Sequence, residues 1–229
     1  MELSKRLRAV AELVSKDAIV ADVGTDHGYI PIYLLKEGKC KKAFAMDVNR
    51  GPLQRACEHI ETYGLSQSIE SRLSDGVGAL EIGECDCVVI AGMGGALTVK
   101  ILEEGEKIFR TLKEFVLQPQ SELMKVRFYL WEQGYTVIEE DMVLEDGKFY
   151  PMMKVSNGKS EEYSIIELRY GRLLLQNRNP VLKEFLEKEV CTKKSILMNL
   201  NKQKGTHIDA RKAEIKQELE DAKKALRLF

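Results

Sequence analysis

The 229 residues predict an α/β chain: a mostly parallel sheet wrapped by helices on both faces, closed by an antiparallel hairpin and followed by a small helical appendage. Three observations carry that expectation. Apolar runs alternate with helix-period patterns from the start to about residue 133, and such alternation implies right-handed crossovers and a buried parallel sheet. After Gly134 the rhythm changes to two extended runs, Tyr135 to Leu144 and Phe149 to Val155. Glu145-Asp146-Gly147-Lys148 joins them, and its Asp-Gly reads as a hairpin turn. Beyond the polar break Ser156-Asn157-Gly158-Lys159-Ser160 the composition is helical.

Taken in order, Leu3, Leu7, Val10 and Val14 mark an amphipathic helix over residues 3–15. A first strand, Ala18 to Val23, runs into Gly24, and Gly28 opens a helix over residues 29–37. The second strand is Lys42 to Asp47; the helix over 52–63 starts on Pro52, a residue favoured where the N–H has no intrahelical partner. Strands Ile69 to Leu73, Cys87 to Ala91 and Phe115 to Gln118 alternate with helices over 95–109 and 121–133. A domain boundary is expected near residue 157, leaving 158–229 as a second domain. There Leu182, Leu186, Val190, Leu197 and Leu200 form one stripe and Ile208, Ile215, Leu219, Ala222, Leu226 and Phe229 another. Lys204-Gly205-Thr206 reads as a stop and restart with Thr206 as N-cap, so the two stripes make an antiparallel, coiled-coil-like helical hairpin.

Charge is near balance overall but unevenly divided. Residues 1–155 hold 19 Lys and Arg against 25 Asp and Glu, a net of −6, whereas residues 156–229 hold 16 against 11, a net of +5. The tail is where a polyanion would be attracted. Five cysteines with no Cys-x-x-Cys pair indicate neither a disulfide framework nor a zinc knuckle, so no metal is expected and reduced thiols in a cytoplasm fit best. The first residues lead into an amphipathic pattern rather than a signal peptide, and no segment approaches the roughly eighteen apolar residues of a membrane span.

The chemistry begins at Asp22-Val23-Gly24-Thr25-Asp26-His27-Gly28-Tyr29. Gly24 can take positive φ and leaves no side chain between backbone and ligand. The helix that Gly28 opens offers unpaired N–H groups to an anion. A dinucleotide fingerprint would place a middle glycine where this chain has Thr25 to His27, so a pyrophosphate could not approach as closely. Asp-x-Gly-x-x-x-Gly suits instead a ligand with a carboxylate and an amine, such as S-adenosylmethionine. Asp47 ends the second strand about twenty residues on, where a carboxylate accepts hydrogen bonds from both ribose hydroxyls. Val48 lies beside it, and Ser74-Asp75-Gly76 follows the third strand, in position for an adenine. The fourth strand ends in Ala91-Gly92-Met93-Gly94-Gly95, whose glycines would let two ligands sit almost against the backbone. The Asn/Asp-Pro-Pro-Tyr/Phe motif of many exocyclic-amine methyltransferases does not occur there, which counts against such an acceptor.

Ala21-Asp22-Val23-Gly24-Thr25-Asp26-His27-Gly28-Tyr29-Ile30-Pro31 together with Ala91-Gly92-Met93-Gly94-Gly95 resembles the bacterial tRNA (adenine(22)-N1)-methyltransferases. The similarity runs over essentially the whole chain. It includes Leu3-Ser4-Lys5-Arg6-Leu7, Gln118-Pro119-Gln120 and the helical carboxyl-terminal hairpin. The resemblance implies a Rossmann-like, class I S-adenosylmethionine domain and a small second domain that helps hold tRNA.

On that reading residues 1–157 bind the cofactor and carry catalysis. Asp22 and Gly24 take its methionine end with Asp26 and Gly28 alongside, and Asp47 takes the ribose. Val48, Asp75 and Gly76 flank the adenine. His27 and Tyr29 neighbour the sulfonium or target base, while Gly92, Met93 and Gly94 form the wall on which the base stacks. Asp22, His27, Tyr29 and Met93 are the catalytic candidates, with His27 open between a general base and a capping histidine. Lys193, Lys194, Lys202, Lys204, Arg211 and Lys212 are the candidate phosphate contacts. His59 and His207 receive no role. The competing reading is a catalytically silent scaffold or sensor that binds the same cofactor. The oligomeric state stays open, a monomer slightly ahead of a dimer through the helical arm.

Overall fold

A seven-stranded sheet organises the first two-thirds of the chain. Its strands are β1 (Ala18–Val23), β2 (Cys40–Asp47), β3 (Ile69–Leu73), β4 (Cys87–Ala91), β5 (Glu114–Gln118), β6 (Tyr135–Glu145) and β7 (Lys148–Asn157). Their spatial order is β3-β2-β1-β4-β5-β7-β6. The first five are parallel, and β7 runs antiparallel to both β5 and β6. This computed structural model describes residues 2–202 and 206–229.

The central strands are buried along nearly their whole length because helices cover both faces, whereas the edge strand β3 is mostly open. The covering helices are α1 (Lys5–Leu13), α2 (Tyr29–Lys36), α3 (Arg50–Thr62), α4 (Gly95–Glu104), α5 (Glu106–Phe109) and α6 (Leu123–Glu132). Val10, Ile32, Leu34, Ala43, Ala45 and Val89 belong to a core that α1 and α2 share with one face of the sheet.

Several boundaries differ from the sequence expectation for local reasons. Ser4 caps α1, its hydroxyl accepting from Leu7 N–H at 3.2 Å, so the helix starts inside residue 3. Helix α3 starts at Arg50, which places Pro52 at its third position, still within the turn whose N–H groups lack intrahelical partners. The single helix expected over 95–109 breaks at Gly105, where a Cβ would lie 2.9 Å from the Ile101 carbonyl oxygen and 2.3 Å from Val77 Cγ2.

The hairpin carries a bulge. Register shifts between Val137 and Glu139, and Ile138 is turned out to solvent. The extra residue inverts the alternation, so that Tyr135 and Val137 are buried before it and Glu140 and Met142 after it. That inversion carries Glu140 into the interior, where Oε1 accepts from Arg127 Nε at 2.9 Å. A polar tie also joins the turn after α1 to the sheet: both carboxylate oxygens of Glu114 accept from Ser15 groups at 2.7 Å, and Lys154 reaches Glu114 at 2.9 Å.

A second compact unit begins at Tyr163. It consists of α7 (Ile165–Tyr170), α8 (Arg172–Gln176), α9 (Pro180–Leu200) and α10 (Thr206–Leu226). A Ser164/Glu167 capping box starts α7, and Asn179 with Pro180 starts α9. The two long helices have 21 residues each, about 31 Å apiece. The few residues between them cannot span that length, so the helices pack antiparallel. Leu182, Leu186 and Val190 of α9 and Ile215, Leu219 and Ala222 of α10 are buried, whereas Leu197, Leu200, Ile208, Leu226 and Phe229 of the expected stripes are only half-buried. Lys204 and Gly205 of the expected stop lie outside the described residues, and the short helices α7 and α8 are not separable in the sequence pattern.

Candidate functional site

Strands β1 and β4 are neighbours, Val23 opposite Ile90, and the strand order reverses between them. Ligands of open α/β sheets bind outside the carboxyl ends of the strands at such a point. Two loops emerge there side by side, each beginning on a glycine in the left-handed region: Gly24 at φ 75° and Gly92 at φ 81°. Between them lies a cleft of about 310 Å³, lined by Asp22, Gly24, Thr25, Asp26, Tyr29 and Gly92, with Arg6 and Gln120 at its rim.

Asp22 is the electrostatic centre of the cleft. Its residue is 3% exposed and its carboxylate has no cationic partner among the described residues. Burial raises its pKa from the ordinary range to about 7; the Thr25 hydroxyl pulls the other way, and the nearby Asp47 carboxylate adds to the rise. A buried acid without a cation at the floor of a cleft fits the ammonium of an amino-acid ligand.

The loop that follows is held by its own backbone. Gly24 and Thr25 N–H both donate to the Met46 carbonyl, at 2.8 and 2.9 Å, and Gly28 at φ 69° caps α2. Asp26, also in the left-handed region, pairs with Arg55 of α3 at 2.6 Å. His27 stacks on Tyr29 with ring centres 5.1 Å apart, and on His59 at 5.2 Å. His59 Nδ1 lies 3.0 Å from the His27 carbonyl oxygen, which gives the histidine passed over in the sequence a place in this stack. The stack fixes the ring of His27 sideways, and its Nε2 is 3.7 Å from Asp26.

The glycine loop after β4 approaches from the other side. A Cβ on Gly24 would lie 2.3 Å from Met93 Cε, so Met93 closes directly over the first loop. Gly92 N–H donates to the Gln118 backbone carbonyl at 3.1 Å and to its side-chain Oε1 at 3.2 Å; Arg6 Nη1 donates to that same Oε1 at 2.9 Å. Arg6 therefore reaches the cleft from α1, at a separation of 112 residues that no local pattern reveals. The start of α4 is capped from the loop after β5: Gly95 N–H donates to Ser121 Oγ and Ala96 N–H to Glu122 Oε2, both at 3.2 Å.

Asp47 ends β2 nearly buried, one oxygen accepting from Asn49 N–H at 2.8 Å, while the next residue, Val48, is 56% exposed. Ser74 N–H donates to the Asp47 carbonyl, so the β3 loop is tied to it. Asp75 and Gly76 line a separate hollow of about 250 Å³ with Ile82, Ile101 and Ile108. The tail cations differ among themselves. Lys193 is held between Glu189 at 3.1 Å and Glu218 at 2.5 Å, Arg211 pairs with Glu214, and Lys212 with Asp209. Lys194 and Lys202 are exposed, and Lys204 is outside the described residues. No three His, Cys, Asp or Glu side chains converge as a metal site among the described residues, and no helix there is long and apolar enough to cross a membrane.

Comparison with known proteins agrees with this geometry. The model of a methyltransferase domain family matches residues 3–153. The tRNA (adenine(22)-N(1))-methyltransferase of Bacillus subtilis (strain 168) is 33% identical over 217 residues, covering 93% of this chain and 91% of that protein. The crystal structure of a Streptococcus pneumoniae putative tRNA (m1A22) methyltransferase in complex with S-adenosyl-L-methionine is similar at TM-score 0.89 and 33% identity, over 98% of this chain and 100% of the other. TrmK of M. capricolum, solved with S-adenosyl-homocysteine, gives TM-score 0.86 and 28% identity over 100% and 99% of the two chains.

Adjacent glycines of the second loop should respond differently to a methyl group. A Cβ at Gly95 would sit 2.4 Å from the Ser121 backbone oxygen, whereas one at Gly94 would meet only Ser121 Oγ at 3.4 Å. Gly95→Ala is expected to cost about 1–3 kcal/mol in urea unfolding and Gly94→Ala less than about 1 kcal/mol. Equal costs would mean that the α4 start is not packed as described.

Proposed function

This chain belongs to the methyltransferase domain family and, within it, to the tRNA (adenine(22)-N1)-methyltransferases, and from that premise we propose how its own residues perform the transfer. The enzyme moves a methyl group from S-adenosylmethionine to N1 of adenine 22 in tRNA. The observation that carries the reading is the buried, cation-free Asp22 at the floor of a cleft roofed by a second glycine loop.

The cofactor supplies an electrophilic sulfonium methyl. Adenine N1 has a lone pair in the ring plane and attacks without losing a proton, so the protein needs no base and its task is alignment. Asp22 receives the ammonium of the methionine end, and Gly24, lacking a side chain, lets that end pass close to the backbone. The free oxygen of Asp47 accepts from the ribose, and exposed Val48 offers an apolar surface to the cofactor's adenine. Met93 and the backbone of Gly92 and Gly94 form the face on which the target base rests. His27, clamped between two aromatic rings, shapes the wall between the two ligands with Tyr29 rather than moving a proton.

An adenine within folded tRNA must leave its stack to reach this cleft. The helical unit supplies phosphate contacts for that step. Lys194 and Lys202, exposed and without ion-pair partners among the described residues, are its principal cations, and Arg211 joins them because its exposed pair with Glu214 is weak. We place the enzyme in the cytoplasm with its tRNA substrate and take it as a monomer.

Incubation with total tRNA and labelled S-adenosylmethionine, followed by nucleoside mapping, should return 1-methyladenine at position 22; methyl on guanine, on a small molecule or nowhere would overturn the reading. Affinity for S-adenosylhomocysteine should depend on pH. The free Asp22 carboxyl titrates near 7 and only the carboxylate attracts the ligand's ammonium, so affinity is full above that pH and falls by up to about tenfold per unit below it. Calorimetry across that range checks this, and Asp22→Asn should bind weakly with the dependence gone. Combined Lys194→Ala, Lys202→Ala and Arg211→Ala should weaken tRNA binding and lower the slope of log affinity against log salt by about 2–3. An unchanged slope would make the helical unit a folding or oligomerisation element.

A further inference from the structure

The glutamines on either side of Pro119 have different fates. Gln118 is fully buried, and its oxygen already serves Arg6 and the Gly92 N–H. Gln120 is exposed at the rim of the cleft. Its backbone N–H donates to the Met93 carbonyl at 2.8 Å, which pins it to the glycine loop. Its side-chain amide has no partner among the described residues, and Nε2 lies 3.7 Å from where a Cβ on Gly92 would stand. An unengaged amide thus hangs over the surface on which the target base rests.

An amide presents one acceptor and one donor in a plane. Adenine presents the complement on its Hoogsteen edge, where the N6 amino group donates and N7 accepts, whereas guanine presents two acceptors there. Pairing on that edge leaves N1, on the adjacent Watson–Crick edge, open to the methyl donor. Arg6, which also lines the cleft, is a guanine-preferring type, but its Nη1 is occupied by Gln118. We propose that Gln120 is the specificity-determining residue of the acceptor site, reading N6 and N7 of the target adenine with its amide. This rests on transfer to adenine N1 as set out above.

The test compares single-turnover methylation of tRNA carrying adenine or 7-deazaadenine at the target position, by the wild-type enzyme and by Gln120→Ala. On adenine the variant should lose roughly ten- to a hundredfold in rate over KM. Replacing N7 by carbon also alters N1 nucleophilicity, but that change is common to both enzymes and cancels in their ratio. The wild-type preference for adenine over 7-deazaadenine should therefore exceed that of Gln120→Ala by roughly tenfold, the worth of one lost hydrogen bond. Affinity for S-adenosylhomocysteine should be unchanged in the variant, reporting an intact fold and donor site. Equal preferences in the two enzymes, or an undiminished rate in Gln120→Ala, would overturn the proposal. A wild-type enzyme that binds S-adenosylhomocysteine yet leaves adenine unmethylated would instead remove the functional reading beneath it.

Discussion

The site depends on one adjacency: β1 and β4 lie side by side, in parallel, with Val23 level with Ile90. Strands so matched release their loops at the same height and on the same edge of the sheet. Two ordinary loops in that position would fill the space between them. Here each begins on a glycine in the left-handed region, so the backbones turn away without side chains and a cleft is left. The reversal of strand order keeps any crossover helix from covering it.

The cleft has a cost that the rest of the fold must absorb. Asp22 is buried with no cation beside it and with a second carboxylate, Asp47, raising the energy of its ionised form. A carboxylate so placed is poorly solvated until a positively charged ligand arrives. Compensation is found away from the cleft. Glu114 is satisfied by Ser15 and Lys154, and Glu140 by Arg127, so the acids that β5 and β6 draw inward are paired. Asp22 and Asp47, buried in the sheet without a cation among the described residues, are the two acids proposed to face the ligand, consistent with the tendency of perturbed ionisable groups to gather at functional sites.

What could be read in the sequence follows the range of the forces involved. Alternating apolar runs and the Asp146-Gly147 turn are local signals, and they specify the strands, their parallel pairing and the closing hairpin. Asp22, Gly24 and Gly92 are legible because a glycine's conformational freedom is a property of the residue itself. The bulge at Ile138 is not: it answers to the need to seat Glu140 against Arg127, which no period along β6 contains. The break at Gly105 likewise follows from the close approach of Val77, distant in sequence. At the site, Arg6 and His59 arrive through contacts spanning 112 and 32 residues. The tail lysines look alike in sequence, and only packing separates Lys193, held between two glutamates, from exposed Lys194.

Met93 and Gly24 occupy each other's space, Cε standing 2.3 Å from where a Cβ at residue 24 would be. The two loops are therefore not free to vary independently. A side chain at position 24 would be strained by the φ of 75° in any case and would also force Met93 to swing away, and a bulkier group at 93 presses on the backbone of the first loop. Changes at the wall proposed for the acceptor base are thereby felt at the proposed seat of the donor, so re-engineering position 93 must take the first loop into account.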